Sequence, residues 1–409
     1  MVIVQIFLFF AVSPIIDWLG LFSLSIQLLR ECPPGFGGVE RTAHELAVAN
    51  FAQTSSLIDS EVFCFAPCPH EDPLPVPYRR SRLYYLRLGR FRFPLPWGPL
   101  LRFLFIKKPL YAHLPSPEVL VVVILLRLIQ RKSQITVYWH AMLSGFYYEL
   151  YQKFALLFIK WHNIPLLVTS PVLRDSLISC GLNADLISIL PCCLSSGSES
   201  MAIQLANDRL SCPSPIFSSK STPFRVICIG RLDTYKRVDW VIEAISLCSN
   251  SFHLTVIGDG PNKAKLESHA FKLLYPHTPY YFKGKVSEYD KFLSLSNSDL
   301  LILASNSSHE AFGIVQLEAM ACGVPALALN CSNSGATWVS SLSSLPSWEV
   351  PGPDSLAKIL SLISSTNFNY LLLSRESFSR YHAYFSRDQW HLSLYSILNI
   401  RTHSPSAPI

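Results

Sequence analysis

FRVICIGRLDTYKRVDWVIEAISLC, residues 224–248, sets three segments in a row: an apolar run, a polar loop opened by a glycine, and a segment with helical spacing of its apolar residues. FRVICIGRL predicts a strand buried on both faces and VDWVIEAISLC predicts a helix. The order then repeats. FHLTVIGDG (252–260), YYFKGKV (280–286), DLLILAS (299–305) and PALALN (325–330) read as strands, while KAKLESHAFKLL (263–274) and GIVQLEAMACG (313–323) read as helices. Strands alternating with helices imply an α/β class with parallel sheets covered on both faces.

Upstream the same grammar holds. FSLSIQLLRE (22–31) predicts a strand, CPPGFGG a turn and VERTAHELAVANFAQ a helix, and VLVVVILL (119–126), QITVYWH (134–140) and PLLVTS (165–170) predict further buried parallel strands. A Ser-rich interval then breaks the periodicity and reads as an interdomain linker over 197–222. A chain of 409 residues exceeds one typical core. The expected organisation is an apolar extension (1–21), a first domain (22–196), the linker, a second domain (223–384) and a C-terminal helix and tail (385–409) returning toward the first.

Hydrophobic residues make up 50% of the chain and charged residues only 15%, against about 25% in ordinary soluble proteins, which predicts contact with a membrane or a partner. From Tyr78 to Lys108 there are nine basic residues and no acidic one, interleaved with Tyr84, Tyr85, Phe91, Phe93, Trp97, Phe103 and Phe105. Such a stretch suits an anionic membrane surface or a solvated loop; no nucleic-acid module accompanies it. The eleven cysteines are mostly scattered singly and read as reduced and intracellular. Cys64, Cys68 and His70 lack a second pair at matching spacing, so no metal site is expected. The apolar N-terminus is interrupted by Ser13, Pro14 and Asp17, which leaves a buried extension or a membrane anchor.

In open α/β sheets ligands collect at the carboxyl ends of the strands. Gly37 and Gly38 stand before a helix, where bare backbone can approach a phosphate, although Gly-Gly turns also occur for purely structural reasons. No full GxGxxG follows, so a nicotinamide or flavin fingerprint is absent. Arg231 and Lys236, just after the first strand of the second half, can clamp a diphosphate or be solvated cations. Gly258 and Gly260 in GDGP permit close backbone approach or merely reverse the chain. In HEAFGIVQLEAMACGVP (309–325) a helix is expected from near Phe312, with Glu310 ahead of it and Glu318 nearly two turns inside. Their eight-residue separation is about 12 Å if helical, beyond the roughly 5–9.5 Å of glycosidase carboxylates, and suits two contacts on one elongated ligand. Glu310 as a helix-start carboxylate and Glu318 as a rim residue paired with a base is the structural alternative.

GFGGVE, GRLDTYKR, VIGDGPNKAKLE, YFKGKV and HEAFGIVQLEAMACGVPALA resemble, in order and spacing, the retaining nucleotide-sugar glycosyltransferases of family 4, over residues 24–400 and most strongly over 224–330. The resemblance implies the GT-B fold, two facing Rossmann-like domains with parallel sheets and the active site in the interdomain cleft. It implies that Glu310 binds donor-sugar hydroxyls, Glu318 the nucleotide ribose, and Arg231 and Lys236 the diphosphate. Backbone N–H groups of Gly38, Phe312, Gly313, Ile314 and Val315 would complete the phosphate cradle. His140 matches a histidine that contacts the donor sugar, and residues from Phe282 through Lys285 to Val286 would line the base pocket. The resemblance implies a nucleoside-diphosphate sugar as donor; no cofactor or obligatory metal is expected, and no D-x-D element is present. One departure is CSNSGATWVSSL (331–342), which keeps only Gly335 where the family shows a Gly-Gly pair followed by an acidic residue.

The expected function is transfer of a hexose or related sugar to a saccharide or lipid-linked acceptor, by a protein peripheral on the cytoplasmic membrane face and without nucleic-acid partners. The alternatives are a non-catalytic nucleotide-sugar-binding protein and a sugar-nucleotide epimerase.

Overall fold

The computed structural model describes residues 25–33, 35, 37–54, 60–67, 76–89, 91–211, 223–365 and 368–403. The expected 1–21 extension, Cys68 and His70 lie outside them.

In chain order the first half holds β1 (Ile26–Leu29), α1 (Gly38–Thr54), β2 (Glu61–Cys64), β3 (Arg79–Arg82), β4 (Tyr85–Leu88), β5 (Phe91–Pro94), α2 (Gly98–Phe105), β6 (Leu110–Leu114), α3 (Pro117–Ile129) and β7 (Ile135–Trp139). There follow α4 (Phe146–Trp161), β8 (Leu166–Val168), α5 (Pro171–Ser179), β9 (Ile187–Ile189) and α6 (Ser196–Ser211). Seven strands form a sheet in the order β3-β2-β1-β6-β7-β8-β9, while β4 and β5 make a separate antiparallel hairpin. A buried link ties this sheet to its first helix: Gln27 on β1 donates to the Ala43 carbonyl of α1 at 3.0 Å and meets His113 Nε2 of β6 at 2.9 Å.

The second half continues with β10 (Phe224–Ile229), α7 (Val238–Leu247), β11 (Phe252–Ile257), α8 (Lys263–Leu274), β12 (Tyr280–Gly284), α9 (Glu288–Ser296) and β13 (Leu300–Leu303). After these come α10 (Val315–Ala321), β14 (Ala326–Ala328), α11 (Ala336–Val339), α12 (Pro353–Ile363), α13 (Tyr370–Tyr384) and α14 (Arg387–His403). The five-stranded sheet runs β12-β11-β10-β13-β14 with every pairing parallel. Alternation along β10 explains its two-sided burial. Phe224, Val226 and Cys228 pack with α7, α8 and α12, whereas Ile227 packs with residues of α6, α9, α10 and α13. Burial pushes the Cys228 thiol up to about 12, so it behaves as a small apolar residue.

Three expectations are corrected. VLVVVILL is helical within α3: Ser116 is extended, Pro117 supplies the helix start, and burial of Val119, Leu120, Val122, Val123 and Leu126 follows helical spacing. A short continuous apolar run does not by its pattern distinguish a buried strand from a buried helix. The interval expected as linker begins with α6, whose Ala202 joins the core shared with α10 and α13. Cys32 is disulfide-bonded, while eight other described cysteines are free thiols.

Contacts divide the chain into two compact units: one ends at Val137 and takes in the residues from Ile397, and the other is Tyr138–Ser396. This division differs from the expected limit at 196 because bonds tie the region after β7 to later chain. Ser308 donates to the Met142 carbonyl at 3.0 Å, and Ser176 to Asn333 Oδ1 at 3.0 Å. Within the first unit the basic stretch meets carboxylates from outside it. Arg92 pairs with Glu31 at 2.9 Å, and Arg79 and Arg102 both pair with Glu61. Among the described residues no helix is long and apolar enough to cross a membrane.

Candidate functional site

In the order β12-β11-β10-β13-β14 the connections depart to opposite sides at β10 and β13, and the crevice beyond their carboxyl ends is where such sheets take ligands. The loops after these strands carry Arg231, Lys236 and Glu310. Lys236 ends a short 3-10 turn (Thr234–Lys236), and its ammonium is ion-paired with Glu310, 74 residues later in the chain. Each side chain is about one-seventh exposed, at 15% and 14%. Burial alone would pull the Lys236 ammonium down, but Glu310 and Tyr235 outweigh it and hold the group above its ordinary value, so it is a cation at neutral pH.

The glycines have stated jobs here. Gly258, with φ at +135°, lies where a Cβ would run into the Gly230 carbonyl oxygen, and a Cβ at Gly260 would come within 2.7 Å of the Leu232 backbone. The loops after β10 and β11 are thereby knitted together: Gly230 donates to the Ile257 carbonyl at 3.0 Å and Leu232 to that of Asp259 at 2.9 Å. Gly230, Arg231, Lys236, Leu303 and Ala304 line a cavity of about 10 Å³, room for one water. Arg231 stands at its edge, 73% exposed and 3.1 Å from Asp233.

Glu310 is held from several sides. Ser305 donates to its carboxylate at 3.3 Å, Ser334 donates to its main-chain carbonyl, and the Gly335 amide donates to Ala311 at 2.9 Å. The departure CSNSGATW is thus a structured part of the site. Ser308 bonds the Glu310 loop to the loop after β7, which carries His140; that ring is 8% exposed and stacks on Tyr138 at 4.5 Å. Phe312 is buried against Trp338 and Phe385, which anchors the turn before α10.

The expectation that a helix starts near Phe312 is corrected. Gly313 takes φ of +71°, a left-handed conformation outside the helix, so α10 opens at Val315 and Glu318 falls in its first turn. Glu318 is 1% exposed and pairs with Lys291 of α9 at 2.7 Å, so it is a buried ion-pair member, not a rim residue. Phe282 packs on the core under α7 and α8, and Lys285 is exposed. Gly37 and Gly38 belong to the first unit, where Gly38 opens α1. The structure therefore brings together Arg231, Lys236, Glu310, Phe312, Gly313 and the His140 loop.

Sequence reasoning missed Lys291, Ser305, Ser308 and Ser334. Lys291 carried a weak signal, a lone cation in the helical run EYDKFLSLS directly before Phe292. The serines carried none, because their partners are set by tertiary contact.

With this geometry in view, the sequence likeness is informative. Residues 214–341 match the family model of the glycosyl transferases group 1. That segment contains Arg231, Lys236, Glu310 and Glu318. A GDP-mannose-dependent alpha-(1-6)-phosphatidylinositol dimannoside mannosyltransferase of Mycobacterium tuberculosis (strain H37Ra) is 35% identical over 112 residues, 26% of this chain and 28% of the relative. An N-acetyl-alpha-D-glucosaminyl L-malate synthase of Bacillus anthracis is 35% identical over 104 residues, 25% of this chain and 26% of the relative. The matched regions thus span under a third of these curated relatives. The Anabaena protein HepE, solved with UDP and glucose, superposes with a TM-score of 0.68 at 16% identity, covering 93% of this chain and all of that one. The shared fold is GT-B, an α/β architecture of Rossmann-like domains with parallel sheets.

Proposed function

We propose that the protein is a retaining, metal-independent glycosyltransferase of family 4 that moves a hexose or related sugar from a nucleoside diphosphate to a saccharide or lipid-linked acceptor. The observation that carries this reading is the convergence of Lys236 and Glu310 at the switch point of the second sheet, inside the segment that matches the group 1 model. One relative is named for GDP-mannose-dependent transfer to phosphatidylinositol dimannoside, another as an N-acetyl-alpha-D-glucosaminyl L-malate synthase, and a protein of the same fold was solved with UDP and glucose.

In the reaction the bond from the anomeric carbon to the diphosphate breaks with its electron pair leaving on phosphate oxygen. The acceptor hydroxyl oxygen bonds to that carbon on the face the diphosphate leaves, and its proton passes to the departing phosphate oxygen. Lys236, cationic at neutral pH, stabilises the departing diphosphate together with Arg231, in an environment where fixed charge acts strongly. To do so Lys236 exchanges its Glu310 partner for phosphate, which frees the Glu310 carboxylate to accept from sugar hydroxyls. His140 contacts the sugar near the reacting carbon, and the amides of Phe312 to Val315 complete the phosphate cradle. Glu318 receives the ribose while remaining anchored by Lys291. Phe282, Lys285 and Gly258 shape the base side.

The acceptor side is assigned to residues 22–196 and the donor side to 223–384. The protein works peripherally on the cytoplasmic membrane face, with the Tyr78–Lys108 stretch on anionic lipid. Incubation with a nucleoside-diphosphate sugar and a lipid or saccharide acceptor, followed by the anomeric configuration of the product, tests the reading. Retention, undiminished by EDTA and lost in Glu310→Ala and Lys236→Ala, is the expected result; an inverted product or an EDTA-sensitive one overturns those finer assignments.

A further inference from the structure

The second unit carries an apolar face that the nucleotide site does not use. Helix α4, FYYELYQKFALLFIKW, buries Gln152, Ala155, Leu156 and Ile159 against the body of the protein. At roughly 100° per residue the opposite side sets Phe146, Leu157, Leu150, Trp161, Phe154 and Tyr147 within one stripe. All six are exposed, Phe146 at 77%, Tyr147 at 83% and Trp161 at 85%. Lys153 and Lys160, both exposed, follow along one edge of the stripe. Beyond them the carboxylate of Glu149 accepts from the Gly145 amide at 3.3 Å and caps the helix.

A helix apolar on two sides and polar only along a ridge does not suit plain solvent. We infer that α4 lies in the surface of an anionic lipid bilayer, its six apolar side chains below the headgroups and Lys153 and Lys160 reaching the lipid phosphates. The chemistry of the edge selects lipid over a second copy of the chain. The two lysines of the ridge have aliphatic stems: Lys153 is exposed, and the Lys160 ammonium, which rests beside the Gly181 turn, swings outward along its stem, so both snorkel toward anionic headgroups, whereas pairing of two identical faces would offer them no carboxylate beyond the one already capping α4. Tyr147 near the start and Trp161 at the end have the amphipathic rings that favour the lipid–water boundary. The helix spans about 22 Å, enough to set all six side chains in one layer.

The inference deepens the membrane part of the proposed function and rests on it. It also supplies a link to the reaction, since His140 and Phe146 are six residues apart and so within about 21 Å along even a fully extended chain. The loop is held closer: Ser308 bonds Met142, and the Leu143 amide donates to Gln152 of α4 at 2.8 Å. A bilayer-bound α4 therefore presents the sugar-contacting loop to an acceptor rooted in the same surface.

The test is co-sedimentation of the full chain with vesicles of phosphatidylcholine alone or mixed with phosphatidylglycerol. The triple variant L150S/F154S/L157S is expected to lose at least about tenfold in binding to the mixed vesicles, and K153Q/K160Q to lose about fivefold per lysine there and nothing on neutral vesicles. Unchanged thermal unfolding and retained nucleotide binding keep the result separate from the transferase reading, and Leu157→Ser alone serves if the triple variant does not fold. Vesicle binding by the triple variant equal to wild type, or loss of self-association in its place, overturns the inference.

Discussion

At the residue scale the decisive pair is Lys236 and Glu310. On the proposed reading, removing the Lys236 ammonium would strip the leaving diphosphate of a fixed charge, and Lys236→Ala is expected to lower kcat about a hundredfold to a thousandfold. Steady-state kinetics with a competent donor checks this, and a loss confined to KM would assign Lys236 to binding alone. The pairing also makes a pH statement. The Lys236 pKa is raised on folding, so its stabilisation is full below the ordinary lysine value of 10.5 and is lost as pH rises through the higher folded value. Glu310→Gln is expected to flatten that part of the alkaline stability profile in denaturant melts. The types of these residues were legible from their loops, but their contact was not, because 74 residues separate them and only the strand order brings β10 beside β13.

At the element scale two tight features set the loops and the first sheet. Gly258→Ala meets both the Gly230 carbonyl and an unfavourable φ, and is expected to cost about 2 kcal/mol or more and to weaken nucleotide binding; equal melting to wild type would contradict the close approach. In the first unit, burial lowers His113 to about 3 from an unfolded value of 6.5. The unfolded chain therefore takes up the proton first as pH falls, and stability is full above pH 6.5 and declines below it. Between pH 7 and pH 5 the loss from this group is about 2 kcal/mol, a slope that His113→Gln should remove. Pattern alone placed the strands FRVICI, FHLTVI and LLIL because alternating cores bury both faces of a parallel sheet. It misplaced VLVVVILL and the start of α10 because a proline at a helix start and a left-handed glycine are single-residue events that average periodicity hides.

At the scale of the whole molecule, one sheet carries the glycine turn before α1 and the other the charged pair, and the strand-helix alternation made both sheets foreseeable. The boundary between the compact units was not foreseeable, since it depends on side-chain bonds such as Ser308 to Met142. Donor binding to the second unit should stabilise it by about 2.7 kcal/mol at a hundredfold excess over Kd. The most direct measurement is calorimetric titration of UDP-glucose and GDP-mannose into wild-type protein and into Lys236→Ala. Saturable binding of at least one donor to wild type, weakened tenfold or more by the substitution, is the predicted result; no binding of either, or equal binding to both proteins, contradicts a nucleotide-sugar site at the ends of β10 and β13.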